Sequence, residues 1–156
     1  MKKIILLTLA ILICSQVFAV NYTGFNASFT GNTIQDVTVA STTLSLNSSA
    51  SGMITFTVNC NYNGWHVVAY GPGLVNTVAS HTIPLSVKAV AHSATAPTTY
   101  DALGGTEAAA TALQTGNYLT SAVTYDLYLK GTASAVAVAR AGFYGAYVNL
   151  KITDTI

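Results

Sequence analysis

Apolar and polar residues alternate with a period of two along most of the chain, which is the pattern expected of β-strands with one buried face. In "MITFTVNC", residues 53–60, threonine and asparagine occupy one face of the predicted strand, and the other face is apolar: Ile54, Phe56, Val58 and Cys60. The stretch "WHVVAY" puts Trp65, Val67 and Ala69 on its apolar face. Further strands are predicted in "GFNASFTG", "QDVTVASTTLSLN", "IPLSVKAV", "SAVTYDLYLK" and "YGAYVNLKIT".

The turns between these stretches favour antiparallel pairing. Asn63–Gly64 lies between two predicted strands and predicts a hairpin turn, because both residues tolerate positive φ. Short strands with frequent turns predict an all-β fold, an antiparallel immunoglobulin-like β-sandwich of about seven strands. Residues 56–68 are then a hairpin that crosses the sandwich.

One segment, residues 92–119, does not show strand alternation and is rich in alanine and threonine. Within it, "TEAAATALQTG" has the features of a short helix, with Thr106 as the N-cap and Gly116 at the end. A long surface loop accounts for the composition equally well, and long loops often carry function. Both interpretations stay open for this segment.

The first 19 residues have the features of a secretory signal peptide. Two lysines precede an apolar run over residues 4–13, and a small-residue cleavage site ends at Ala19. The run is shorter than the roughly 20 apolar residues that span a bilayer. The sequence therefore predicts one mature domain over residues 20–156, secreted to the periplasm or cell surface of a bacterium, with no membrane insertion after cleavage.

The composition supports export and excludes some partners. Cleavage would remove two of the six basic residues, which changes the net charge from +1 to −1, since four basic residues then face five acidic ones. The basic residues are not clustered, so no nucleic-acid partner is predicted. Charged residues make up only 7% of the chain. That composition is typical of exported surface proteins and unusual for a cytosolic enzyme.

Cys60 and His66 raise the hypothesis of a thiol nucleophile with a histidine base. By alternation, however, Cys60 lies on the apolar face of its strand, and His66 lies on the face opposite Trp65. This placement favours a buried, unreactive thiol beside a core tryptophan. Cys14 is lost with the signal peptide, so the mature chain has no partner for an internal disulfide with Cys60.

No other group of residues predicts catalysis or metal binding. His66, His81 and His92 lack metal-ligand spacing, and the acidic residues are scattered. Asp126 lies on the outward face of its strand, where a solvated carboxylate is expected. We therefore predict no catalytic residue, no cofactor, no metal and no enzymatic activity.

Three tyrosines occupy outward positions of their predicted strands: Tyr70, Tyr128 and Tyr147. Exposed aromatic rings can stack on a ligand or anchor a partner protein. They are also favourable cross-strand neighbours in an exposed sheet. The three residues are thus candidate ligand-stacking positions, with a purely structural role as the alternative.

The stretches "ITFTVNCNYNGWHVVAY", "VTYDLYLKG" and "AGFYGAYVNLKIT", following a signal peptide, resemble the spore-coat-protein-U-like domains and the related pilins of archaic chaperone–usher systems. In those proteins a Val-x-Cys strand, a Tyr-x-Leu-Tyr strand and a final Gly-x-Tyr strand recur. The family usually forms a disulfide, whereas here Cys60 is the one cysteine that remains after the predicted cleavage. Pilins also tend to end on a strand that bears aromatic residues, whereas this chain ends in "KITDTI".

The resemblance implies a secreted, non-enzymatic subunit of a pilus or coat. In such pilins an N-terminal segment of one subunit completes the sandwich of the next by β-augmentation. Residues 20–30 are the matching segment, as a donor strand or as the chain's own first strand, with Phe25, Ala27 and Phe29 as alternate pocket fillers. The implied partners are other copies, other surface subunits and a periplasmic chaperone.

Two functions from other classes stay open. A secreted carbohydrate- or ligand-binding module would group outward aromatic residues beside a groove. A secreted hydrolase would bring two carboxylates, or a cysteine and a histidine, within hydrogen-bond reach.

Overall fold

The computed structural model describes residues 23–24, 35–41, 44, 46–47, 50–61, 63–76, 78–140 and 142–153. The predicted signal peptide and Phe25, Ala27 and Phe29 lie outside these described residues.

Most of the regular secondary structure of the described chain is β-strand, which confirms the all-β prediction. The strands, in chain order, are β1 (Thr23–Gly24), β2 (Gln35–Val39), β3 (Ser51–Cys60), β4 (Trp65–Tyr70), β5 (Leu74–Asn76), β6 (His81–Ile83), β7 (Leu85–Ala91), β8 (Asp101–Ala102), β9 (Thr111–Gly116), β10 (Val123–Gly131) and β11 (Asn149–Thr153). This exceeds the seven predicted, because strands of two or three residues are too short to show a period.

Two sheets form the body of the molecule. The front sheet has the strand order β1-β11-β4-β9, and the back sheet has the order β2-β3-β10-β7-β8. Neighbouring strands are antiparallel, except that β1 runs parallel to β11. Strands β5 and β6 form a separate hairpin.

One apolar core lies between the two sheets. The back sheet contributes the predicted inward face of β3, and Phe56 stacks on Tyr125 of β10 with ring centroids 5.5 Å apart. The front sheet contributes the alternate residues of β4 and β11, and Trp65 is only 1% exposed. The predicted inward faces of β3 and β4 are therefore confirmed, and the arrangement is a sandwich of two sheets.

The β3–β4 connection differs from the predicted hairpin. β3 pairs with β2 and β10 in the back sheet, whereas β4 pairs with β11 and β9 in the front sheet. Only Gly64 of the Asn63–Gly64 pair has a positive φ, of 77°. A paired two-residue hairpin of the favoured type needs positive φ at both residues. The connection therefore crosses between the sheets, as expected, but its two strands do not pair.

The segment 92–119 contains more strand than predicted. β8 and β9 lie within it, joined by a 3-10 helix at Glu107–Ala109. Of the two alternatives, a helix over residues 106–116 extends no further than its first turn and a loop does not describe residues 111–116, because these residues pair with β4 as an edge strand. Thr106 makes no side-chain capping hydrogen bond.

The described helices are short. Besides the 3-10 helix there is α1 (Ala133–Ala137) after β10. Neither of these described helices has the length and apolar character that crossing a bilayer requires.

Candidate functional site at the β11 edge

In the front sheet, β11 lies between β4 and the edge strand β1, and within the described residues it is paired unequally on its two sides. β11 pairs with β4 at five successive positions, from Asn149 to Thr153. On its other side, β1 pairs at two positions only, Thr23 with Leu150 and Gly24 with Lys151. Within the described residues, an early segment of the chain thus completes this sheet over two residues, in parallel.

The inward side of β11 belongs to the core. Leu150 and Ile152 are buried and pack in the same cluster as Val37 of β2. β1 contacts both β11 and β2, so it lies at the lateral boundary between the front and back sheets. A strand at this position therefore closes one side of the sandwich.

The outward side of β11 carries an ion pair with the 3-10 helix. Lys151 bonds Glu107, and the Tyr70 hydroxyl donates to Glu107 Oε2 at 3.4 Å. The hydrogen bond and charge of Lys151 hold the pKa of Glu107 below its ordinary value, and Glu107 raises the pKa of Lys151 in turn. These contacts fix the 3-10 helix on the outer face of the front sheet, where Val68 is buried.

The three candidate stacking tyrosines do not form one site. Tyr70 lies on β4 of the front sheet and Tyr128 on β10 of the back sheet, so their outward sides face in opposite directions. Tyr147 precedes β11 and is 60% exposed, and its backbone packs against Gly71. A ligand that stacks on all three rings at once does not fit this geometry, and stacking on any single ring stays a prediction.

The cysteine–histidine pair is not assembled. Cys60 is fully buried in the core and forms no disulfide with another described residue. His66 lies on the alternate side of β4, in register with Thr115 and Thr153 of the neighbouring strands. Its Nδ1 atom is buried without a hydrogen-bond partner among the described residues. The thiol therefore lies in the core between the two sheets, whereas the imidazole lies on the outer side of the front sheet, as alternation predicts.

Asp126 forms a contact that sequence reasoning missed. Its side chain is buried, with a residue exposure of 3%, so the prediction of a solvated carboxylate is wrong. Oδ1 accepts a hydrogen bond from His92 Nδ1 at 2.8 Å, and Oδ2 accepts one from the Ser93 backbone N–H at 2.8 Å. Ser93 has a φ of 63°, a conformation that turns the chain after β7 back over the sheet and covers the carboxylate.

These contacts make stability depend on the Asp126 charge. The hydrogen bond from His92, helped by that from Ser93, holds the pKa of Asp126 below its ordinary value. A carboxyl group with a lowered folded-state pKa stabilises the fold above its unfolded-state pKa, and that contribution is lost as pH falls through the folded-state pKa. We expect Asp126→Asn to destabilise the protein at neutral pH and to flatten its loss of stability in acid.

Urea unfolding followed from neutral to strongly acidic pH measures this effect. Asp101→Asn is the matched control, because Asp101 pairs with Lys88 at 2.9 Å in an exposed position where an ion pair contributes little. Equal acid sensitivity of wild type and Asp126→Asn would contradict the assignment.

No metal centre is assembled in the part of the chain that the structure describes, where no three histidine, cysteine or acidic side chains converge. The acidic residues with resolved contacts bond separate partners: Asp101, Glu107 and Asp126. The described residues therefore do not show the paired carboxylates of a glycosidase.

Comparison of the sequence with protein-family models and with curated proteins gives no match. The resemblance to spore-coat-protein-U-like domains and archaic pilins stays a prediction.

Proposed function

We propose that the chain is a secreted, non-enzymatic structural subunit of a bacterial surface fibre or coat, with an immunoglobulin-like sandwich, which assembles through the β11 edge. The observation that carries the proposal is the two-residue parallel pairing of β1 on β11. A five-residue strand that lines the core is completed, within the described residues, by a short segment from the start of the chain.

The energetics of this edge favour exchange. A backbone hydrogen bond contributes a net ~1 kcal/mol, so the two described register pairs by themselves add little to the stability of the β1–β11 contact. A sheet edge with unpaired groups is a template for another strand, and β-augmentation uses such edges for assembly. The same segment of a second copy can make identical contacts and replace β1 in trans.

The residues after β1 supply specificity in this proposal. Phe25, Ala27 and Phe29 alternate along the segment and would fill pockets of the neighbouring copy. Before assembly, a β11 edge without its partner strand leaves the Leu150 and Ile152 side of the core open, which is the kind of surface that a periplasmic chaperone covers.

A disulfide trap tests the exchange. Gly24 and Lys151 are register partners, and neighbouring strands lie about 4.8 Å apart, within the Cα separation of roughly 4.4–6.8 Å that disulfides accept. The mature protein with Gly24→Cys and Lys151→Cys is refolded at high concentration, oxidised and separated on a denaturing, non-reducing gel. Strand exchange predicts a ladder of covalent oligomers.

The other outcomes are equally informative. A single band of internally cross-linked monomer would show that β1 closes its own chain and would overturn the proposal. The absence of any cross-link would contradict β1–β11 pairing itself. As a control, Gly24→Cys combined with Thr115→Cys places the second thiol on β9, the opposite edge of the front sheet, and should give no ladder.

A secreted ligand-binding module is the second candidate, favoured by two exposed aromatic rings near the start of β11. Phe143 is 90% exposed and Tyr147 is 60% exposed. The backbone of Gly145, between them, bonds Val75 of β5 in both directions at 2.8 and 3.0 Å, which holds this segment in place. An internally cross-linked monomer in the trapping experiment would favour this candidate.

A further inference from the structure

A four-residue segment that begins at the last residue of β9 holds the β3–β4 connection. Residues 116–119, here called the strap, make four hydrogen bonds to the connection and its flanking strand ends. Two are donated by the connection, from Gly64 N–H to the Gly116 carbonyl at 3.1 Å and from Trp65 Nε1 to the Asn117 carbonyl at 2.7 Å. Two are donated by the strap, from Tyr118 N–H to Asn63 Oδ1 at 2.9 Å and from Leu119 N–H to the Cys60 carbonyl at 2.9 Å.

The strap bonds both groups of a reactive dipeptide. Asn63–Gly64 is the only Asn–Gly pair in the sequence. Both residues are exposed, and no atom lies within 4 Å of the position that a Cβ on Gly64 would occupy. The missing side chain leaves the Gly64 nitrogen sterically free to approach the Asn63 side-chain amide once the backbone can move.

The geometry points to Asn63 as a site of spontaneous deamidation whose rate is controlled by opening of the strap. The Gly64 backbone nitrogen loses its proton to solvent and forms a bond to Asn63 Cγ. The bond from Cγ to Nδ2 breaks, and the Nδ2 amino group takes up a proton from solvent and leaves as ammonia. Water then opens the resulting succinimide at one of its two carbonyls, which gives aspartate or isoaspartate at position 63.

The closed strap restrains both reacting groups. The Gly64 N–H is engaged by the Gly116 carbonyl, and the Asn63 side-chain oxygen is held by Tyr118 N–H. The bond from Tyr118 also polarises the side-chain carbonyl, but it fixes that carbonyl on the strap, so any rotation of the side chain toward the Gly64 nitrogen has to break it. Opening of the strap is a local unfolding event that releases both restraints together.

The isoaspartate product has a structural consequence. It routes the main chain through the side-chain carbon and so lengthens the backbone of the connection by one atom. The Gly64–Gly116 and Asn63–Tyr118 bonds then cannot both reform with their original geometry. Since the strap also bonds Trp65 and the backbone of Cys60, its loosening exposes the end of the core that holds the buried thiol.

Peptide mapping by mass spectrometry tests the site and its control by the strap. The mature protein is incubated at mildly alkaline pH, folded or in concentrated urea, and aspartate and isoaspartate at position 63 are separated chromatographically. We expect conversion in the folded protein to be slower by roughly tenfold or more, because only the opened fraction reacts. Asn117, which precedes a tyrosine in the same chain, is the internal control and should convert little in either condition.

Each outcome decides the proposal. If Asn63 does not convert in urea, it is not a deamidation site. Equal rates in the folded and unfolded protein would mean that the strap does not control the reaction. Faster conversion in the folded protein would mean that polarisation by Tyr118 outweighs the restraint by the strap.

Thiol labelling tests the structural consequence. The isoaspartate fraction should label at Cys60 with a thiol reagent several-fold faster than unmodified protein. Asn63→Asp, which keeps the normal backbone and an acceptor for Tyr118, should label like wild type. Equal labelling of the isoaspartate fraction would refute the loosening.

Discussion

Replacing Trp65 with alanine is expected to lower the free energy of unfolding by about 3–5 kcal/mol, the range for truncating a fully buried aromatic side chain. The indole is 1% exposed, lies in the core cluster, and donates its N–H to the Asn117 carbonyl at 2.7 Å. Truncation leaves a cavity between the sheets and an unpaired carbonyl in the strap. Urea unfolding followed by far-ultraviolet circular dichroism measures the loss without using tryptophan fluorescence.

Tyr118→Ala is the matched control for this truncation. The Tyr118 side chain is exposed, and only its backbone bonds Asn63, so its removal is expected to change stability by less than about 0.5 kcal/mol. A loss below about 1 kcal/mol for Trp65→Ala would be incompatible with an indole at the centre of a packed core.

The strands with strict alternation are those that sequence reasoning placed best. The predicted stretch 65–70 coincides with β4, and the predicted stretch 53–60 ends where β3 ends. Both strands lie inside their sheets, and the inward residues of β4 and of the second half of β3 are fully buried, so the period of two in the sequence reflects a strong local constraint. The core face could therefore be predicted without knowledge of the pairing.

Strand β9 shows where local preference gave the wrong answer. Its surroundings are rich in alanine, which favours a helix in isolation. Pairing with β4 and the hydrogen bond from Gln114 Nε2 to the Ala89 carbonyl, which joins the two sheets, outweigh that preference. Both interactions depend on residues distant in sequence, and alternation within β9 itself is interrupted by an irregularity opposite Val67 and Val68.

The polar contacts were missed for a related reason. Asp126 and His92 are separated by 34 positions, and Glu107 and Lys151 by 44. Strand register and the turn at Ser93 bring these side chains together, and neither leaves a spacing motif in the sequence. The one available signal was an acidic residue in the middle of a long strand, a position where carboxylates are disfavoured unless a specific partner is present.

Gly116 has a different structural role from the one that the sequence suggested. The sequence favoured a helix end, but Gly116 ends β9, and its φ is not in the left-handed region. A Cβ at this position would lie 2.5 Å from Cζ2 of the Trp65 ring. Glycine is required here because the indole packs directly on the backbone.

This contact predicts strong coupling between the two positions. Gly116→Ala alone is expected to destabilise the protein by about 1–3 kcal/mol, because the added methyl overpacks a filled core. In the Trp65→Ala background the same methyl enters the cavity, and its cost is expected to fall to near zero or to become a gain. The coupling energy should lie within the roughly 0.5–3 kcal/mol found for residues in contact.

A double-mutant cycle from urea unfolding of the four proteins measures this coupling. Gly105→Ala is the control for the glycine substitution itself, because no atom lies within 4 Å of its Cβ position and its φ is not in the left-handed region. It should be neutral or stabilising by about 0.4–1 kcal/mol, through the reduced freedom of the unfolded chain, and additive with Trp65→Ala. Additivity of Gly116→Ala with Trp65→Ala would mean that the indole does not rest on Gly116, and the packing that joins β4, β9 and the strap would have to be revised.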